Sequence, residues 1–195
     1  MKDEKITEEL VRYAQRAYFR GLVCGTGGNF SARKADGRML ITASGLSLGD
    51  TSPDNLIDMD ITTYEWEASG DYIPSKEFLF HADILRLRPD VGAVLHVHPP
   101  YATSYAVMKR DIPMVTDAAF KQPPTPRVGF APSGTSELQQ NVIEALTSNP
   151  GCIVLLLEQH GIIALGSDIR WAYDIADMTE GFAQVAYQQE NLTRK

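Results

Sequence analysis

His96-Val97-His98 closes an apolar run from Val91 to Leu95, and His160 follows a second apolar run, Ile153 to Leu157. The chain has four histidines, so three of them stand where strands are expected to end. Side chains two apart on a strand point to the same face. His96 and His98 can therefore aim two imidazoles at one point, and His160 can close the set from a neighbouring strand. Three neutral nitrogen donors with an open fourth position suit a catalytic divalent ion. Spacing alone does not choose the metal: imidazole suits zinc, but manganese, cobalt or iron could also occupy such a site.

Glu77 is the best candidate for an acid/base group. It follows Pro74-Ser75-Lys76 in what reads as the first turn of a helix, where it could exchange a proton beside a cation. The alternative is a first-turn glutamate that only complements the helix dipole. Gly25-Thr26-Gly27-Gly28-Asn29 and Ser44-Gly45, with Ser75-Lys76, resemble anion-binding material. Glycines expose backbone N–H groups, hydroxyls donate hydrogen bonds, and Lys76 adds a full charge. Ordinary loop formation is the competing explanation, since this is neither a Walker A loop nor a dinucleotide fingerprint. His81, one helical turn after Glu77, is read as a packing residue. Asp117, Lys121 and Arg127 flank a proline-rich stretch and are read as solvated charges, and Gly134-Thr135-Ser136-Glu137 as a helix-start cap.

The positioning elements follow from pattern. Apolar residues at helical spacing predict a helix over 7–22, with Thr7 as its cap. Short strands are expected at Phe30–Arg33 and Met39–Thr42, turning around Asp36-Gly37, and at Ile57–Ile61. Residues 63–72 read as a hairpin extension. A helix capped by Ser75 should run to Leu87, ahead of Pro89. A buried strand is expected over Val91–His98, a short helix over Tyr101–Lys109, and a strand over Ile112–Val115. The stretch Asp117–Val128, with Pro123, Pro124 and Pro126, reads as an irregular loop. A helix over Gly134–Thr147, strands at Cys152–Leu157 and Ile162–Leu165, and a long helix capped by Asp168 complete the chain. Together they predict one domain over 1–195, with a mainly antiparallel sheet and helices on its faces.

Composition agrees with such a domain: 44% of residues are hydrophobic and 22% charged. A net charge of −7 argues against non-specific nucleic-acid binding. No apolar run approaches the ~20 residues of a membrane span. Two cysteines without a CxxC pair and an N-terminus lacking an apolar stretch point to a reducing cytoplasm.

Several segments together carry a family resemblance. They are Gly25-Thr26-Gly27-Gly28-Asn29-Phe30-Ser31, Leu40-Ile41-Thr42-Ala43-Ser44-Gly45, Pro74-Ser75-Lys76-Glu77 with His81, Arg88-Pro89-Asp90, Ala93 to His98, Gly134 to Leu138, and Gln159-His160-Gly161. In this order the chain resembles the class II aldolase/adducin family across about residues 7–187. The resemblance implies a three-layer α/β/α sandwich around a mainly antiparallel sheet, usually assembled as a C4 homotetramer. It implies zinc held by His96, His98 and His160, and Glu77 as acid/base. It implies a phosphate site from Thr26, Gly28, Asn29, Ser44, Gly45, Ser75 and the residue at 76. Two features depart from the family's aldolase. Lys76 stands where a second serine is usual, and could pair with a phosphate or read a carboxylate. Tyrosines expected near Thr116-Asp117 and in a longer C-terminal tail are missing.

The expected reaction is cleavage of a phosphorylated ketose to glycerone phosphate and an aldehyde through a zinc-stabilised enediolate. Decarboxylation, dehydration and 4-epimerisation of a sugar or sugar-acid phosphate are the same-family alternatives. Glu77 favours aldolase over epimerase, and Lys76 keeps decarboxylation open. A non-catalytic adducin-like interaction module is the remote alternative, disfavoured by the presence of all three histidines and Glu77.

Overall fold

The computed structural model describes residues 2–67 and 70–192. Helix α1 (Lys2–Phe19) leads into strands β1 (Asn29–Arg33), β2 (Met39–Thr42), β3 (Leu56–Met59) and β4 (Trp66–Glu67). Helix α2 (Phe78–Leu87), strand β5 (Ala93–Val97), helices α3 (Pro100–Val107) and α4 (Asp117–Phe120), and strand β6 (Arg127–Val128) follow. The chain ends with α5 (Ser136–Ser148), β7 (Val154–Leu157), β8 (Gly161–Gly166) and α6 (Ile169–Leu192). The strands form one sheet in the order β4-β3-β2-β1-β5-β8-β7-β6. Every pairing is antiparallel except β6 with β7.

The central strands are apolar on both faces because both faces are covered. Phe30, Leu95, Val97, Leu156 and Ile162 bury against the layer of α1, α3 and α6. Ile41, Val94, Leu155 and Ile163 bury on the opposite side, against α2 and α5. Each such side chain contributes about 1.5–3 kcal/mol on burial. The result is the expected α/β/α sandwich. No helix among the described residues is long and apolar enough to cross a membrane.

Two helix ends matter for the site. Helix α1 stops in a Schellman turn: Gly21, at φ +79°, donates to the Tyr18 carbonyl, and Leu22 donates to Ala17. That turn buries Leu22 and presents its carbonyl to the His98 N–H at 3.0 Å. Helix α3, directly after the His96–His98 segment, has its first N–H groups capped from another helix. The buried Glu180 carboxylate on α6 accepts from Tyr101 and Ala102 at 2.9–3.1 Å.

Several boundaries differ from expectation. Helix α1 runs from Lys2 to Phe19, so Thr7 lies inside it rather than capping it. Ser75 does not cap α2. Its N–H donates to the Thr42 carbonyl, and Ala43 bridges Pro74, so Pro74-Ser75 is stitched to the end of β2 and the helix starts at Phe78. Ile112–Val115 forms no strand. The edge of β7 is taken by β6, which falls inside the stretch expected to be irregular, as does α4. Ile112 instead packs against the core. Residues 68 and 69 of the expected hairpin lie outside the described residues; β3 and β4 do pair, through Asp58–Glu67 and Met59–Trp66.

Candidate active site

His96 lies on β5, fully buried, with its ring on the α2 side of the sheet. His98 is one residue beyond the strand, its backbone held by Leu22. His160 sits in the turn from β7 to β8, where Gln159 takes φ +59° and the His160 N–H donates to Leu157 at 3.1 Å. Gly161 lets that turn close on β5. A Cβ there would lie 2.3 Å from the Val97 carbonyl oxygen and 2.7 Å from the His98 ring. No other residue fits that approach, so the glycine after His160 brings it beside His98.

The three rings converge. His98 Nε2 is 2.9 Å and His160 Nε2 3.3 Å from His96 Nε2. These are close to the ~3.3 Å between ligand nitrogens on a tetrahedral ion with ~2.0–2.1 Å bonds. His96 Nδ1 donates to the Ile162 carbonyl, which fixes the tautomer and leaves Nε2 with its lone pair toward the other rings. Burial lowers the pKa of all three histidines, that of His98 to about 4, so the imidazoles are neutral and able to ligate.

Glu77 sits just before the first residue of α2, one position outside the expected first turn. Its Oε2 is 3.3 Å from His96 Nε2 and accepts from Asn29 Nδ2 at 2.8 Å. Its Oε1 is 3.6 Å from His160 Nε2 and, although buried, has no hydrogen-bond partner. Burial alone would push this carboxyl up. The charge that His96 carries when protonated, the Asn29 amide, the corresponding charge of His160 and the Ser133 hydroxyl outweigh burial and bring it down to about 2. Three neutral nitrogens facing a bare buried carboxylate oxygen form a donor set that fits a divalent ion.

The anion-binding candidates gather at the same place. Thr26, Gly28, Asn29, Ser44, Gly45, Ser75 and Lys76 line one cleft with Glu77, His98 and His160, and buried His96 lies against Glu77 with its Nε2 3.3 Å from Oε2. Hydrogen bonds from Ser44 to Ile73 and from Ser75 to Thr42 hold the two hydroxyl-bearing turns side by side. Lys76 is exposed at the cleft mouth and depresses the pKa of His98 and His160. Asp117, Lys121 and Arg127 are elsewhere: the first two pair with each other, and Arg127 pairs with Asp111 and Glu158.

Ser133 is the cleft residue that sequence reasoning missed. Thr135 does cap α5, accepting from Leu138, and that structural role concealed its neighbour. The available signal was Gly134, whose Cβ would come within 3.2 Å of the Lys76 carbonyl and which therefore carries Ser133 against the Ser75–Glu77 segment.

A family model described as the class II aldolase and adducin N-terminal domain matches residues 8–187. The chain belongs to the class II aldolase/adducin family. Within it, the chain is 39% identical over 180 residues to the 5-methylthioribulose-1-phosphate/5-deoxyribulose-1-phosphate aldolase of Rhodospirillum rubrum, covering 90% of this chain and 77% of that protein. It is 31% identical to the 3-oxo-tetronate 4-phosphate decarboxylase of Haemophilus influenzae, over 95% of this chain and 87% of that protein. The solved structure of an L-fuculose 1-phosphate aldolase superposes with a TM-score of 0.87 at 28% identity, covering 97% of this chain and 88% of the other. The chain is thus an aldolase-family enzyme, and the family's sugar-phosphate chemistry agrees with the donor set found in the cleft.

Proposed function

We propose that this enzyme is a metal-dependent aldolase that cleaves a phosphorylated ketose to glycerone phosphate and an aldehyde. The observation that carries the proposal is Glu77 Oε1, buried and unpartnered, 3.6 Å from His160 Nε2 and opening on a cleft of backbone amides, hydroxyls and Lys76. In this reading His96, His98 and His160 hold the ion, with zinc expected and manganese or cobalt as alternatives. The ion would supply Lewis-acid stabilisation for the charge that develops as the carbon–carbon bond breaks. Glu77 delivers to the carbon so released the proton given up by the cleaved alcohol, or removes it from that carbon in the aldol direction. Thr26, Gly28, Asn29, Ser44, Gly45, Ser75 and Lys76 grip the phosphate and orient the ketose so that its reacting carbon faces Glu77. The 5-deoxy- and 5-methylthio-ribulose 1-phosphates named for the Rhodospirillum rubrum relative are the first substrates to try.

One observation favours a second reading. The Lys76 ammonium is exposed beside the two outer histidines, where it could read a carboxylate, and the decarboxylase relative acts on a sugar-acid phosphate by name. Dehydration and 4-epimerisation stay within the screen, with Glu77 favouring the aldolase over the epimerase.

The whole chain, 1–195, is read as one domain working as a C4 homotetramer in the cytoplasm. A single sheet supports the first. Exposed Val107, Met108, Phe120 and Phe130 support an assembly that covers them. Two free thiols, Cys24 and Cys152, suit a reducing compartment.

The test is a screen of phosphorylated ketoses and sugar acids with zinc-, manganese- and cobalt-loaded protein, with product analysis and the Glu77→Gln variant alongside. The expected result is aldehyde and glycerone phosphate from the wild type. Glu77→Gln should keep its metal and lose exchange of the glycerone-phosphate C–H proton. Release of carbon dioxide in place of an aldehyde would select the second reading.

A further inference from the structure

Behind the cleft wall, four buried polar side chains from two elements interleave. Asn29 and Ser31 are two apart on β1 and face α2; Glu77 and His81 are one turn apart at the start of α2 and face β1. They alternate as one chain of hydrogen bonds. Ser31 Oγ meets His81 Nδ1 at 2.7 Å, His81 Nε2 meets Asn29 Oδ1 at 2.5 Å, and Asn29 Nδ2 meets Glu77 Oε2 at 2.8 Å. Asn29 also lies directly opposite His96 across the β1–β5 pair, which sets its amide beside the histidine cluster.

The direction of this chain follows from what each group can do. An ionised carboxylate only accepts, so the Asn29 atom facing Glu77 must be the NH2 group. Asn29 Oδ1 then faces His81, so His81 Nε2 must carry the proton. Its Nδ1 is left as an acceptor, so the Ser31 hydroxyl must donate. Full burial keeps the His81 ring neutral, with its pKa at about 3, so it supplies a single N–H. Each step fixes the next, and no member can reverse alone without setting two acceptors or two donors face to face.

We propose that His81 is a positioning residue: the one-way relay Ser31 to His81 to Asn29 ties Glu77 Oε2 in place and so leaves Oε1 as the oxygen that meets the substrate. The proposal rests on the reading of Glu77 as the proton-transfer group. It accounts for the asymmetry of the carboxylate, one oxygen bonded at 2.8 Å and the other buried without a partner.

The test uses the full chain. In 15N NMR of the histidine-labelled metal-loaded protein, His81 is expected as the Nε2–H tautomer with a bare Nδ1; an Nδ1–H tautomer overturns the relay. His81→Leu is expected to slow C–H exchange of glycerone phosphate about 10–100-fold while metal content holds at one per chain. Half-saturation should move less than about threefold. His81→Gln, whose amide keeps a donor toward Asn29, is expected to recover most of the rate. Equal losses in the two variants, or a loss confined to KM or to metal content, overturn the positioning role. Should His81→Leu fail to fold, Ser31→Ala takes its place. It is expected to slow exchange several-fold and to perturb the His81 nitrogen signals, and an unchanged rate with unchanged signals overturns the proposal. Glu77→Gln separates the two levels. If it still exchanges, the reading of Glu77 fails and the relay falls with it; if it is inert while His81→Leu exchanges at the wild-type rate, only the relay fails.

Discussion

His96 Nδ1 donates to the Ile162 carbonyl at 2.9 Å across the β5–β8 pair. A carbonyl can only accept, so this bond fixes the proton on Nδ1 and aims the Nε2 lone pair at His98 and His160. The sheet itself thereby sets the ligating atom, and no side-chain substitution can remove the partner.

Stripping the metal should therefore destabilise the protein without unfolding it, because the His96 ring is held by the Ile162 carbonyl in its absence. An ion bound at 100 to 1,000 times its Kd stabilises the native state by about 2.7–4.1 kcal/mol. The melting temperature should fall on dialysis against chelator and return on adding zinc, manganese or cobalt. His160→Ala should abolish that dependence on added ion. Elemental analysis and calorimetry read both outcomes.

Gly161→Ala tests how closely the β7–β8 turn must meet β5. The added methyl would overlap the Val97 carbonyl oxygen, which is backbone and cannot swing aside. A cost of about 1–3 kcal/mol is expected from the forced shift. Since the same shift moves His160 away from His98, metal affinity should fall together with stability. Stability loss with unchanged metal affinity would show that the turn repacks without moving His160.

Much of this arrangement was legible in the sequence. The strand carrying His96 and the strands on either side of the His160 turn are buried on both faces, so they read as apolar runs with histidines at their ends. The spacing of His96 and His98 reported a shared face directly. The relay was less legible. Ser31 with Asn29 and His81 with Glu77 each have the right local spacing, but only the packing of α2 over β1 interleaves them, and no local pattern encodes that contact. The start of α2 differs for a related reason: Ser75 is a good cap by type, but its hydroxyl accepts from Glu77 ahead of the helix, and Glu77 holds the cap position. The two-residue β6 was hidden because its hydrogen bonds come from β7, and a pair as short as Arg127–Val128 carries no periodicity.

Lys76 bears on what the cleft grips. It lies at the exposed mouth, so a bond to a phosphate there contributes about 1.5 kcal/mol, at the low end for charged groups. Lys76→Ser should raise KM for a ketose phosphate about tenfold, with a smaller change in kcat. It should also flatten the rise of KM with ionic strength. An unchanged KM with a large loss of kcat would move Lys76 from phosphate grip to the reacting end of the substrate.

A last prediction concerns the helical layer that carries Glu77. Asp83 is buried on α2 and its carboxylate accepts from Tyr64 at 2.8 Å, Arg86 at 2.7 Å and Gln139 at 2.5 Å, tying the β3–β4 segment and α5 to the same helix. Burial pushes its pKa up, but the hydrogen bonds from Arg86, Tyr64 and Gln139 outweigh burial, and the net shift is below the ordinary 3.8. A carboxyl whose folded pKa is depressed stabilises the protein above its unfolded pKa and loses that contribution as pH falls through the folded value. Asp83→Asn should therefore cost about 1–3 kcal/mol at pH 6–7. The gap to wild type should hold down to about pH 4 and close below it. Urea unfolding of both proteins across pH 3–7 reads the difference. A gap independent of pH would assign the loss to packing, and one that widened on acidification would reverse the sign of the shift.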